Sequence, residues 1–161
     1  MPVIRLSVSQ NQIEISPRRI KKAAGEILKG LGFTDSELSI AIVDDEEMAR
    51  LNWQYRQVNA PTDVLAFPLL EGEFGDIHPE LLGDVVISAP TAQVMSREHQ
   101  CPLSAILDLL MVHGILHLIG YDHEGDPDRA RQMDEKSLEL LKKLGHTQEH
   151  YEWYMTPSDE R

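Results

Sequence analysis

The residues of this chain best placed to do chemistry lie in HGILHLIGYDH, positions 113 to 123. On a helix, His113 and His117 stand one turn apart and project from the same face. Gly120 falls where a helix can end through a left-handed residue, so the chain can turn back and carry His123 toward the same point. Three neutral imidazoles suit zinc, and three protein ligands leave the fourth tetrahedral position for water or substrate, which is the arrangement of a catalytic site. The competing reading is a pair of satisfied core histidines. Leu110, Met111, Val112, Ile115, Leu116, Leu118 and Ile119 surround the pair. An unpaired imidazole among them would cost on the order of 1–3 kcal/mol, a difficulty that a shared metal removes. His78, His99, His146 and His150 lack comparable neighbours.

The spacing follows the zinc-peptidase pattern HExxHxxGxxH, but Gly114 stands where that pattern has glutamate. Without the carboxylate, water activated by the metal loses its usual proton acceptor, so peptide hydrolysis is not expected although the metal scaffold survives. A second segment, NWQYRQVNAPTDVLAFP from Asn52 to Pro68, puts Arg56 near a helix end ahead of a proline-stiffened turn. A guanidinium there can grip a phosphate through paired hydrogen bonds, or simply lie exposed and favoured by the helix dipole. Asp63 reads as a residue that fixes its turn. Asp122 and Glu124 flank His123 as orienting carboxylates or as surface acids.

These residues need elements to hold them. Ile4 to Val8 alternates as a strand, and Ser16 before Pro17 starts a helix running to about Leu31. Glu37 to Val43 alternates again, and Asp44 caps a helix reaching about Gln57. Val64 to Phe67 reads as a short strand, residues 69 to 82 as an irregular excursion, and Gly83 to Ser88 as a further strand. Ala89 to Glu98 suits a helix, Pro102 opens a strongly apolar one through about Ile119, and a last helix spans Asp128 to Leu144, ended by Gly145. The expected fold is α+β: a small mixed sheet of about four strands covered by about five helices, with the metal site on a buried helix and the turn after it. Residues 1–150 read as a single metallohydrolase domain and 151–161 as a polar, loosely held tail.

Bulk properties agree with that size. A chain of 161 residues with 42% hydrophobic and 26% charged residues can bury a core without staples. Cys101 is the single cysteine, which excludes an internal disulfide and a cysteine-based zinc cluster. The opening MPVIRLSVSQ lacks an apolar stretch of signal length, and Ala105 to Gly120 is interrupted by Asp108, His113 and His117, so a cytoplasmic location is expected. The formal charge of -12 argues against a broad basic surface for nucleic acid. Arg18, Arg19, Lys21 and Lys22 form a local cluster that reads either as a solvated helix face or as a binding patch.

Taken together, NWQYRQVNAPTDVLAFP, GDVVIS at 83 to 88 and HGILHLIGYDH resemble the bacterial YbeY family over most of the chain. The resemblance implies a zinc-dependent, single-strand-specific endoribonuclease acting in ribosomal RNA maturation, at the 3' end of the small-subunit RNA, and in ribosome quality control. It further implies one zinc ion on His113, His117 and His123, a catalytic role for Arg56 with His113 and His117, and single-stranded RNA, ribosomal RNA and the small ribosomal subunit as partners. Ala66 departs from the serine usual in the family's PTDVLSFP, a change that touches no expected ligand. The rival implication is a ribosome-assembly factor whose zinc is mainly structural and which does not itself cut RNA.

Overall fold

The computed structural model describes residues 1–68, 81–121 and 126–155. Its elements, in chain order, are β1 (Val3–Val8), α1 (Pro17–Gly30), β2 (Glu37–Val43), α2 (Asp45–Arg56), β3 (Val64–Pro68), β4 (Leu81–Ser88), α3 (Ala89–His99), α4 (Leu103–Leu118) and α5 (Pro127–Lys143). Two short 3₁₀ turns follow, at Gln148–His150 and Glu152–Tyr154. The caps expected from sequence form: the Ser16 hydroxyl accepts from Arg19 N at 3.3 Å, and Asp44 Oδ1 accepts from Glu47 N at 2.8 Å. The strand after the excursion begins two residues earlier than expected, at Leu81, because Glu37 of β2 pairs with it there. The rest of the excursion, 69–80, lies outside the described residues.

The sheet order is β1-β2-β4-β3, with β1, β2 and β4 parallel and β3 antiparallel at one edge. The α+β expectation, four strands with five helices, is met. Strand alternation divides the apolar residues between two faces. Leu38, Ile40, Ile42, Leu82, Val85 and Ile87 enter the main core, which α1 and α4 cover. Val43, Leu65 and Val86 point the other way and meet Met48 of α2 in a smaller cluster.

The central element is α4, buried on nearly every side by β3, β4, α1, α3 and α5. A helix apolar all round is what such a position requires, and Leu109, Leu110, Met111 and Val112 in succession supply it. Gly114 lets this helix approach the sheet: a Cβ there would lie 2.8 Å from Val85 Cγ1 and 3.2 Å from Val64 Cγ2. The position that holds glutamate in zinc peptidases therefore faces strands β3 and β4 with no room for a side chain.

The segment after α5 is held more firmly than its composition suggests. Tyr151 is buried, His99 stacks on Trp153 with ring centroids 3.5 Å apart, and the Trp153 indole donates to the His150 carbonyl at 2.9 Å. Aromatic rings, not polarity, decide the fate of residues 151–155. Among the described residues no single helix is long and apolar enough to cross a membrane.

Candidate functional site

Helix geometry delivers the first two histidines as expected. His113 Nε2 and His117 Nε2 lie 3.0 Å apart, with ring planes at 70°. Two imidazoles on one tetrahedral zinc at 2.0–2.1 Å would hold their nitrogens about 3.3 Å apart, so this donor pair fits a shared ion with a small adjustment. The same separation also suits a hydrogen bond between the rings. Helix α4 ends at Leu118, and Gly120 adopts φ +104°. Tyr121 N then donates to the Leu116 carbonyl at 2.9 Å, reversing the chain as the glycine stop predicts. His123, with Asp122 and Glu124, lies outside the described residues, as does His78.

Arg56 reaches the same place from another element. It is the last residue of α2, and Gln57 follows in the left-handed region at φ 59°, which bends the chain sharply back. Asn52, buried one turn earlier, donates from Nδ2 to the Ala60 carbonyl at 2.8 Å and so ties the returning loop to the helix. That loop leads into the edge strand β3. A cleft of about 570 Å³ results, lined by Arg56, Thr62, Asp63, Phe67, His113 and His117 among others. Arg56 is thus exposed at a helix end and lines the same cavity as the histidine pair.

Asp63 does fix its turn, and more. Its Oδ1 accepts from Val64 N at 2.7 Å, while its Oδ2 accepts from the Tyr154 hydroxyl at 3.1 Å. The Tyr154 ring stands edge-on to His113 with centroids 5.4 Å apart. Burial, then the neighbouring Asp63 charge and hydrogen bond, pushes the Tyr154 phenol well above its ordinary value, so it stays protonated and donating. His113 also lines a second cavity, of about 160 Å³, with Asp134 and Ser137 of α5 and Tyr154. A carboxylate near an imidazole can fix the ring's orientation and tautomer.

Tyr154 and Asp134 were not singled out from sequence. For Asp134 a signal exists: Ala130, Met133, Ser137, Leu140 and Leu141 form the buried stripe of α5, and Asp134 borders that stripe. Tyr154 has none, since its partner is 91 positions away. Of the remaining histidines, His146 bonds to Asp108 Oδ2 at 2.6 Å, and His99 is taken up by Trp153. Of the early basic cluster, Arg19 binds Asp108, while Arg18, Lys21 and Lys22 are exposed.

The family model described as endoribonuclease YbeY matches residues 5–145. The chain belongs to the YbeY family. The endoribonuclease YbeY of Syntrophotalea carbinolica is 41% identical over 145 residues, spanning 89% of this chain and 97% of that protein. The YbeY of Geobacter metallireducens is 41% identical, covering 86% of this chain and 93% of its own, and that of Aquifex aeolicus is 41% identical, covering 87% and 91%. The fold is similar to the solution structure of TM1509 from Thermotoga maritima, with a TM-score of 0.61 and 25% identity over 99% of this chain and 97% of that one. The YbeY match stops at residue 145, short of Tyr154. The ring against His113 therefore comes from beyond the matched YbeY region.

Proposed function

We propose that the protein is a zinc-dependent endoribonuclease that cuts single-stranded RNA, acting in the cytoplasm on ribosomal RNA at the 3' end of the small-subunit RNA and in ribosome quality control. Membership of the YbeY family supports RNA phosphodiester cleavage as the reaction class. The observation that carries the site is the cleft in which Arg56 from α2 faces the histidine pair of α4. One zinc ion would be held by His113, His117 and His123, the last assigned from the motif and from the Gly120 reversal. When bound, zinc supplies Lewis acidity toward a phosphoryl oxygen or an attacking water.

The protein's own groups do the rest. The Arg56 guanidinium can pair with two phosphate oxygens, orienting the scissile group and offsetting the negative charge that grows in the transition state. Asp63 and Tyr154 set the cleft wall and the edge of the His113 ring. Gly114 leaves no carboxylate to take a proton from water in the peptidase manner, which separates this site from amide hydrolysis.

Cleavage of a single-stranded RNA by highly purified protein tests the reading, alongside Arg56→Ala and His117→Ala shown by circular dichroism to be folded. Loss of roughly 100-fold or more in rate in both is expected. Activity that survives both substitutions would mark a contaminating nuclease. A wild-type protein that retains zinc yet leaves RNA intact would favour an assembly factor with a structural ion.

A further inference from the structure

Tyr55 and Phe67 sit where two cavities meet. Tyr55 precedes Arg56 on the last turn of α2, Phe67 lies on β3, and their ring centroids are 4.6 Å apart at 47°. Both line the cleft that holds Arg56 and the histidine pair. Both also line a groove of about 440 Å³ on the sheet face away from α4, together with Ser39, Ala41 and Asp84. Among the described residues, they are the two common to the linings of both.

The chemistry of the two cavities differs. The first offers Arg56 to a phosphate. In the second, the cation among the described lining residues, Arg5, is bonded to Glu37, and Asp84 adds a carboxylate, so a phosphate is poorly received there. A neutral, flat group is not. Tyr55 keeps 58% of its surface in water although it is aromatic, and Trp53 and Val58 beside it are exposed at 57% and 44%. An aromatic ring left exposed beside an arginine that can take a phosphate is the arrangement that single-strand binders use to stack a base.

We propose that Tyr55 and Phe67 form a stacking platform for one nucleobase adjoining the phosphate at Arg56, and that this platform is the source of selectivity for unpaired RNA. The proposal rests on the endoribonuclease reading above. A paired base keeps its faces inside the helical stack, whereas an unpaired one can turn its face onto the rings while its backbone stays at the cleft. Tyr55 and Phe67 are positioning residues here, acting on where the substrate lies and not on the reacting atoms.

The test uses a short single-stranded RNA and a set of copies each carrying one abasic ribose. With wild-type protein, one position beside the cut is expected to raise KM about tenfold when its base is removed, the size of one base–aromatic stack. Tyr55→Ala should raise KM by a similar factor on the intact RNA and add nothing on that abasic copy, while Tyr55→Phe keeps the wild-type KM. A flat abasic scan with wild-type protein would overturn the platform, and so would a Tyr55→Ala penalty that persists on every abasic copy. Because the scan needs only wild-type protein, it decides the matter even if a variant fails to fold. A wild-type protein that cuts no RNA defeats the functional reading itself, whereas cleavage with a flat scan defeats the platform alone.

Discussion

Tyr154 puts a hydroxyl on Asp63 and a ring edge on His113, so one side chain steadies both walls of the cleft. Replacing it with phenylalanine keeps the ring and deletes one hydrogen bond. A loss of about 0.5–1.5 kcal/mol in stability is expected by thermal melting at neutral pH. The pH dependence has a definite sign. The folded phenol is harder to ionise than an unfolded one, so its contribution is complete below the unfolded value of about 10 and fades as pH rises past it. Melts at neutral and strongly alkaline pH should therefore show the gap between wild type and Tyr154→Phe closing. Asp134 lines a cavity together with His113 and Tyr154. Asp134→Ala is expected to weaken zinc binding by roughly 10- to 100-fold in competition with a chelating dye, without unfolding the protein.

At the scale of elements, Gly114 is the point where α4 meets the sheet, with Val64 and Val85 as the opposing surface. Gly114→Ala drives a methyl group into two β-branched side chains and should cost about 1–3 kcal/mol in urea unfolding, even though alanine is the better helix former. An unchanged midpoint would mean that α4 can move off β3 and β4. The elements themselves were legible in the sequence because alternation in Leu38, Ile40 and Ile42, and caps at Ser16 and Asp44, are local signals. The histidine pair was legible for the same reason, since four residues make one turn. What the sequence hid is long-range: the meeting of Arg56 with α4 depends on β3 returning along the sheet edge, and the Tyr154 contact spans most of the chain. Within residues 151–155, Tyr151 and Trp153 carry packing that a reading of polar composition does not show.

The whole molecule is tied together by a buried charge outside the cleft. Asp108 of α4 is 1% exposed, and it accepts from Arg19 of α1 at 2.6 and 3.1 Å and pairs with His146 beyond α5. Three segments thus converge on the helix that carries the histidine pair. Asp108→Ala strands two partners, one of them partly open to water, and a loss of roughly 2–3 kcal/mol is expected by denaturant unfolding. The overall charge of -12 acts at this scale too. Free RNA should bind weakly, with affinity falling as salt rises, because few phosphates find cations on an acidic molecule. Tight binding that ignores salt would contradict this expectation. The claim on which the rest depends is a metal held by the paired imidazoles of α4. Metal content by inductively coupled plasma mass spectrometry, on wild-type, His113→Ala and His117→Ala proteins purified without chelating resin, tests it most directly. About one zinc per wild-type chain and almost none in either variant is the predicted result; a wild-type protein that is active and metal-free, or variants that keep their zinc, would contradict it.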